Sequence, residues 1–228
     1  TSGLLYDYGV RAPMEIIPSG MDIARFAPER HDALERAARR NECGVLPGER
    51  VLLNIGRIAK EKNIEQIMRV LPRLLEVHPD VRFVIVGEGP MREHLTKMAR
   101  ELGVSDHVTF TGPKRWEIID QYYALGDVFV SASHSETQGL TYIEAMASGL
   151  CVCAVNDACL DGVIQDGVSG ILTGEGDSDL LEGLIRAFSE EGKHIAEHAA
   201  EYAVPFGTEA FAIRMEQCYE KAIAEAKK

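Results

Sequence analysis

Short, unbroken apolar runs alternate with amphipathic stretches through most of this chain. Strands that are buried on both faces give such continuous Val, Ile and Leu runs, and these are typical of a parallel sheet covered by helices. We therefore predict an α/β, Rossmann-like domain in which a doubly wound parallel sheet has six strands. The predicted strands are residues 51–55, 82–86, 107–110, 127–131, 150–155 and 170–172.

The stretch between the first two predicted strands has the periodicity of a helix. Apolar residues recur at i, i+3, i+4 and i+7 from Ile64 onward, and Asn63 is the predicted N-cap. Pro72 is expected to kink this helix, because proline removes a hydrogen bond and crowds the preceding turn. Pro90 is expected to begin the next helix, where a missing amide does no harm.

Three regions are predicted along the chain. Residues 1–28 form an inter-domain connection with a short strand at 14–17, and residues 29–206 form the Rossmann-like domain. Residues 207–228 form an amphipathic helix that crosses to another domain of a longer protein. Its apolar stripe is Phe211, Met215, Tyr219 and Ile223.

Composition and charge narrow the possible functions. The net charge of −12 argues against nucleic acid, whose phosphates this surface would repel. No apolar run approaches the ~20 residues that span a bilayer, and no signal-peptide pattern is present, so we expect a cytoplasmic protein. A peripheral position of the full-length protein at the inner face of the membrane is the alternative, and such attachment would come from a part of the protein outside this chain. The five cysteines form no C-x-x-C pair and are expected to be buried in a reducing compartment.

The chain's most informative segment is Glu136-Thr-Gln-Gly139-Leu140-Thr141-Tyr-Ile-Glu144, at the start of a predicted helix. Free amides at a helix start bind phosphate, and carboxylates accept hydrogen bonds from sugar hydroxyls. Glu144 would lie roughly 7 Å along the helix axis, with Glu136 on the other side of the phosphate position. The segment thus suits a ribose, a pyrophosphate and a sugar in that order, although two such glutamates also occur by chance on solvated helices.

Two basic residues are expected to meet this segment. In the common strand order 3-2-1-4-5-6, strands 1 and 4 flank the ligand crevice at their carboxyl ends. Arg57 and Lys62 follow strand 1, and Glu136 follows strand 4. Arginine offers a bidentate fork and lysine a point charge, a suitable pair for pyrophosphate. The alternative is that residues 60–62 form a solvated charged loop.

Several segments together resemble the C-terminal nucleotide-sugar-binding domain of family-four retaining glycosyltransferases, which have the GT-B fold. The resemblance implies that Arg57 and Lys62 hold the diphosphate of a UDP-sugar. It rests on Ile17-Pro-Ser-Gly-Met-Asp22, Asn54-Ile-Gly-Arg57, Lys60-Glu-Lys-Asn63, Val86-Gly-Glu-Gly-Pro90, Phe110-Thr-Gly112 and residues 133–149.

The resemblance also implies roles for the remaining site residues. The amides of Gly139, Leu140 and Thr141 would support the diphosphate, and Glu144 would hold the ribose. Glu136 would contact the transferred sugar and act in catalysis with Arg57 and Lys62. The backbone near Lys114 would meet the base. Arg57, Lys62 and the helix amides would need no metal to stabilise the diphosphate, and we expect neither a metal nor another cofactor.

Two positions depart from the family's usual pattern: Ser19 replaces an Asn, and Gly162 replaces a frequent Glu. The segment 136–142 and Gly162 are similar to the bacterial branch that glucosylates diacylglycerol. This implies hexose transfer from UDP-glucose to a hydroxyl acceptor such as this lipid. It also implies an N-terminal acceptor domain, which is not among the residues of this chain. The alternatives are a nucleotide-sugar binding module without turnover, a sugar-nucleotide epimerase and a sugar-phosphate synthase.

Other motifs favour structural roles. Gly87-Glu-Gly89 lacks the third glycine of a dinucleotide fingerprint, which argues against a dehydrogenase. The H-x-x-E-H pattern at 194–198 fits a zinc motif but is better explained as a solvated helix face. Asp177-Ser-Asp179 is expected to cap a helix start. His134 could contact the ligand or stabilise its loop.

Overall fold

The computed structural model describes residues 2–136 and 138–226, which form a single sheet flanked by helices on both faces. Parallel strands alternate with helices along the chain. The strands are β1 (Arg50–Ile55), β2 (Val81–Val86), β3 (Val108–Gly112), β4 (Val128–Ser131), β5 (Cys151–Val155) and β6 (Ile171–Thr173). The helices are α1 (Ser2–Asp7), α2 (Ala33–Glu42), α3 (Ile64–Val77), α4 (Arg92–Glu101), α5 (Ile119–Tyr123), α6 (Leu140–Ala147), α7 (Asp177–Ala187), α8 (Glu190–Ala203) and α9 (Thr208–Ala226).

The sheet has the order β3-β2-β1-β4-β5-β6, and every pair of neighbouring strands is parallel. Both the predicted fold class and the predicted strand order are therefore confirmed. Each predicted strand agrees with an observed one to within two residues at either end. The order reverses between β1 and β4, so the crevice of a doubly wound sheet lies at the carboxyl ends of these two strands.

The sheet is buried on both faces because its side chains alternate between two apolar clusters. Leu52 and Phe83 pack with α3, α4 and α7 on one face. Leu53, Val84 and Phe129 pack with α5 and α6 on the other. All five of these side chains are at most 1% exposed. Burial of each such side chain contributes about 1.5–3 kcal/mol, which explains the unbroken apolar runs in the sequence.

Helix α3 begins at Ile64, as expected, and continues through Pro72 to Val77. Asn63 occupies the predicted N-cap position, but its side chain makes no capping hydrogen bond. Asn63 has a left-handed backbone with φ 49°, whereas a capping residue normally has an extended one. Its side-chain amide instead donates to Gln66 Oε1 at 2.7 Å.

Helix α4 begins at Arg92 and not at Pro90. The Met91 amide donates to the carbonyl of Ile58 at 3.1 Å. This bond ties the turn before α4 to the loop after β1, so the chain enters the helix two residues later than predicted.

The predicted strand at 14–17 is also wrong, because the backbone there pairs with no strand among the described residues. The extended pairing occurs instead at Met21, whose amide donates to Phe206 at 3.0 Å and whose carbonyl accepts from Thr208 at 2.9 Å. These bonds hold the amino-terminal segment against the start of α9.

The predicted C-terminal helix is present as α9. Phe211 and Met215 on its predicted stripe are half-buried, whereas Tyr219 and Ile223 are 62% and 55% exposed. The last two predicted helical positions, 227 and 228, lie outside the described residues. The division into three regions, and the crossing of α9 to another domain, stay predictions.

The five cysteines are all free thiols. Cys151 and Cys153 are buried on the same face of β5, as their spacing predicts. Burial raises the pKa of the Cys151 thiol to about 12. Cys43 is buried as well, while Cys159 and Cys218 are half-buried. Among the described helices, none combines the length and the apolar character needed to cross a membrane.

Candidate functional site

The crevice begins where β1 and β2 end. The loops after the two strands lie so close that a Cβ on Gly87 would come within 1.8 Å of the Gly56 carbonyl oxygen. Gly87 also has φ +147°, a conformation that other residues rarely adopt. The Ile58 amide donates to Glu88 at 3.0 Å across the same contact. The G-x-G pair at 87–89 therefore interlocks two loops, a structural role that agrees with its failure as a dinucleotide fingerprint.

The central feature of the crevice is an ion pair between its two sides. Lys62 ends a 3₁₀ turn (Lys60–Lys62) after β1, and Glu136 belongs to the loop after β4. Lys62 Nζ lies 2.5 Å from Glu136 Oε1. Both side chains are partly buried, with exposed fractions of 25% and 17%. The predicted convergence of these two residues across the sheet edge is thus observed.

Two weaker bonds hold the same loops together. The Ser133 hydroxyl donates to the carbonyl of Glu61 at 3.4 Å. The Asn63 side-chain amide lies 3.4 Å from Nε2 of His134. His134 therefore has a contact within the loops. This contact fits the prediction that His134 stabilises its loop, which was one of two roles considered for it. The loops of β1 and β4 form one unit around the ion pair.

Helix α6 opens beside Glu136. Gly139 precedes it with φ +65°, and a Cβ there would come within 2.6 Å of the Tyr142 ring. Glycine is therefore required at this position. Leu140 and Thr141 are the first two helical residues, and amides in the first turn of a helix have no acceptor within it. These N–H groups and the helix dipole favour an anion at this end of α6.

Glu144 is the fifth residue of α6, and it is only 6% exposed. The Tyr123 hydroxyl, on α5, donates to Glu144 Oε2 at 2.5 Å. Burial raises the pKa of the Glu144 carboxyl, while the Tyr123 bond and the positive charge of Arg25 act in the opposite direction. One oxygen of the carboxylate is thus engaged by Tyr123, and Oε1 can accept a further hydrogen bond.

The remaining predicted residues lie at the same edge of the sheet. Arg57 directly follows β1 and its Gly56, and its side chain is exposed. Lys114 follows β3, two strands away from β1 in the sheet, and its Nζ lies 5.1 Å from the centre of the Tyr122 ring. The roles predicted for these two residues stay predictions.

Sequence reasoning missed the tyrosines that support the site. Tyr123 is fully buried and holds Glu144 from 21 residues away. Tyr142 is equally buried, packs against Gly139, and donates to Ser131 Oγ at 2.9 Å. Because both residues resemble ordinary core aromatics in the sequence, no local signal could have found them.

Two further motifs, the acidic pair at 177–179 and the H-x-x-E-H pattern at 194–198, were predicted to have structural roles, and most of their residues do. Asp179 accepts from the Gly176 amide at 3.2 Å at the start of α7, as a capping acid should. Asp177 instead forms an ion pair with Arg69 at 2.7 Å. On α8 the H-x-x-E-H side chains are exposed, as a solvated helix face predicts, although their ligand atoms all lie within 4.8 Å of one another.

The chemistry of this edge follows from its parts. A lysine and the amides at the start of α6 supply positive charge for phosphate. Glu136 on one side and Glu144 on the other supply carboxylate oxygens that can accept from hydroxyls. The arrangement is suited to a ligand that carries hydroxyls on both sides of a diphosphate.

Comparison with known proteins identifies the family of this chain. The family model described as "Glycosyl transferases group 1" matches residues 35–204. The alpha-monoglucosyldiacylglycerol synthase of Streptococcus pneumoniae is 34% identical over 222 residues, which are 96% of this chain and 50% of that protein. The synthase of the same name from Acholeplasma laidlawii is 30% identical over 221 residues, 94% of this chain and 55% of that protein. The chain spans about half the length of these curated relatives.

Solved structures share the fold. Anabaena HepE in complex with UDP is 21% identical with a TM-score of 0.85, over 96% of this chain and 61% of that one. The C-terminal domain of the Francisella tularensis glycosyl transferase LpcC is 24% identical with a TM-score of 0.70, over 81% of this chain and 97% of that domain. The resemblance drawn from the sequence motifs is confirmed: this chain belongs to the group 1 glycosyl transferases.

Proposed function

We propose that this chain is the donor-binding part of a retaining glycosyltransferase that transfers a hexose, glucose from UDP-glucose, to a hydroxyl acceptor. The contact between Lys62 and Glu136 beside the start of α6 carries this proposal. It joins a cation for phosphate to a carboxylate for sugar hydroxyls at the switch point of the sheet. Glu144, five residues into α6, is available for the ribose.

Each residue has a distinct part in the proposed reaction. Arg57, Lys62 and the amides of Gly139, Leu140 and Thr141 stabilise the charge that develops on the departing diphosphate. The acceptor oxygen bonds to the anomeric carbon on the face from which the diphosphate leaves. The acceptor proton passes to an oxygen of that diphosphate, and the carbon–oxygen bond to it breaks. Glu136 positions the sugar and stabilises positive character at the anomeric carbon, while the backbone near Lys114 contacts the base.

The acceptor in this proposal is diacylglycerol or a related lipid. Similarity to two monoglucosyldiacylglycerol synthases supports it. Because the chain spans about half of those relatives, the acceptor site is assigned to an N-terminal domain of the full-length protein. For the 228-residue chain alone we expect donor binding without transfer.

Calorimetry on the 228-residue chain tests the donor site. We expect UDP and UDP-glucose to bind, and both Arg57→Ala and Glu144→Ala to weaken binding at least tenfold, about 1.4 kcal/mol. Arg73→Ala, an exposed arginine on α3, is the matched control and should leave the affinity unchanged. Full affinity in both site variants would reject the assignment.

Product analysis of the full-length protein with labelled UDP-glucose tests the reaction. Labelled glucosyl-diacylglycerol with an α linkage is the expected product. Sucrose-phosphate synthase of Thermosynechococcus elongatus is 25% identical with a TM-score of 0.81 over 98% of this chain, so a sugar-phosphate acceptor is tested in parallel. A labelled sugar phosphate would favour the synthase alternative, and an epimerised sugar nucleotide would favour an epimerase.

Arg57, Lys62 and the helix amides supply positive charge at the diphosphate, and we propose that donor binding needs no metal. UDP-glucose should therefore bind with the same affinity in EDTA as in magnesium. A loss of more than tenfold in EDTA would contradict this part of the proposal.

A further inference from the structure

The residues that the proposed function assigns to the diphosphate and to the sugar touch each other directly. Lys62 Nζ and Glu136 Oε1 are 2.5 Å apart, and the bonds of Ser133 and Asn63 hold the two loops in place. A phosphate that binds Lys62 therefore also lies close to the carboxylate of Glu136. The two partners of Lys62, phosphate and carboxylate, compete for the same ammonium group.

The charge of the ligand decides how strong this competition is. The terminal phosphate of a nucleoside diphosphate carries close to two negative charges at neutral pH, since its second pKa is about 6. In a sugar nucleotide the same phosphate is a diester with one charge, and it continues into a neutral sugar. A carboxylate repels the first ligand more strongly, whereas it can accept a hydroxyl hydrogen bond from the second.

We propose that Glu136 selects the sugar-bearing donor against the bare nucleoside diphosphate. This inference rests on the proposed function of the site. Glu136 lowers the affinity for the nucleoside diphosphate, because its carboxylate repels the phosphate and holds Lys62. A ligand with a sugar at the second phosphate offsets this loss through a hydroxyl hydrogen bond to the carboxylate. After transfer the product loses the sugar and gains a charge beside Glu136, so the same residue promotes its release.

The surroundings of Glu136 give this effect its strength. The pair is 25% and 17% exposed, which reduces the screening that weakens most surface charges. Glu136 also lies in the loop between β4 and α6, three residues before the Gly139 that precedes the helix, close to the amides assigned to the phosphate. Glu144 is less able to take this part because its carboxylate is buried and held by Tyr123.

The test is calorimetry of Glu136→Gln with UDP and UDP-glucose at pH 7.5 and low ionic strength. Glutamine keeps the size and a carbonyl acceptor but removes the charge. We expect the affinity for UDP to rise about three- to tenfold and the affinity for UDP-glucose to stay or fall, so that the ratio shifts toward UDP. At 0.5 M salt the shift should shrink. Glu136→Asp, which keeps the charge, should retain the preference for UDP-glucose.

The matched control is Glu101→Gln. Glu101 also pairs with a lysine, Lys97 at 3.3 Å, but it lies at the end of α4 and is exposed. This variant has the same change in net charge and should leave both affinities unaltered.

Failure of the inference can be told from failure of the proposed function. If neither ligand binds the wild-type chain, the proposed function fails. If both ligands bind and Arg57→Ala weakens their binding at least tenfold, but Glu136→Gln leaves the ratio of the two affinities unchanged or weakens UDP more than UDP-glucose, this inference alone is overturned. Circular dichroism and urea unfolding of each variant establish that it is folded.

Discussion

The two glutamates of the proposed donor site lie eight residues apart and occupy opposite environments. Glu136 lies in a loop and is held by the ammonium group of Lys62. Glu144 lies inside α6, where it is 6% exposed and held by the neutral hydroxyl of Tyr123. The first carboxylate is stabilised by charge and the second by a buried hydrogen bond. Identical side chains can therefore take different parts, since one can exchange partners and the other is fixed.

The ion pair of Glu136 and the buried hydrogen bond of Glu144 contribute unequally to the free energy of unfolding. An ion pair of this kind contributes little to net stability, because ordering two long side chains and partly removing them from water offset their attraction. A buried carboxyl needs its donor, because an unsatisfied polar group in the core costs about 1–3 kcal/mol. We therefore expect substitutions around Glu144 to affect folding, and substitutions around Glu136 to affect ligand preference.

The largest effect on the free energy of unfolding should come from removing the Tyr123 side chain, which supports the buried Glu144. Tyr123→Ala deletes a fully buried ring that packs on Phe26 and Phe129. We expect it to lower the free energy of unfolding by about 3–5 kcal/mol, measured by urea denaturation. A loss below about 1 kcal/mol would mean that Tyr123 is not part of the core as described.

A smaller loss isolates the hydrogen bond. Tyr123→Phe keeps the ring but leaves Glu144 without its donor, and it should cost about 1–3 kcal/mol in the same assay. The missing bond should also raise the pKa of Glu144 further, since that bond lowers it. Tyr122→Phe, at the neighbouring position on α5, is the matched control and should change stability little. Equal losses in both variants would contradict a specific bond to Glu144.

The pH dependence of stability should single out Glu144. Its pKa in the folded protein is raised above the ordinary value of 4.5 by burial. At pH values between 4.5 and the folded pKa, the folded state binds more protons than the unfolded state. The stability that protonated Glu144 contributes is therefore fully present below pH 4.5 and is lost as the pH rises through the folded pKa. Glu144→Gln should remove that loss.

The comparison is made as the difference in unfolding free energy between wild type and Glu144→Gln from pH 4 to 8. We expect the wild type to lose stability relative to the variant as the pH rises, while the variant binds UDP more weakly. A difference that is constant with pH would show that burial does not perturb this carboxyl. Glu101→Gln reports the effect of the same substitution at an exposed site.

The smallest effect on folding should come from the ion pair. Lys62→Ala or Glu136→Gln should each change the free energy of unfolding by less than about 1 kcal/mol. Lys62→Ala should nevertheless weaken UDP binding, because the phosphate loses its ammonium partner. A large loss of stability in either variant would remove the contrast between the two glutamates.

Much of the fold was predictable because burial on both faces forces continuous apolar runs in parallel strands. All six strands and their order follow from this pattern and from the rules for doubly wound sheets. Errors arose where tertiary contacts override local preference. Asn63 occupies the N-cap position of α3 with a left-handed backbone and no side-chain capping bond, and the contact of Met91 with Ile58 delays α4. The strand expected at 14–17 gave way to pairing at Met21.

For the site, the sequence by itself determined the family and the convergence of Lys62 with Glu136, because motif spacing and strand order together define one edge of the sheet. Only the tertiary structure decided that Lys62 and Glu136 bind each other and that Tyr123 holds Glu144. The physical reason is that both contacts join distant segments. Lys62 and Glu136 are 74 residues apart and Tyr123 and Glu144 are 21 residues apart, and local patterns of hydrophobicity carry no record of which polar atoms meet after the sheet and helices have packed.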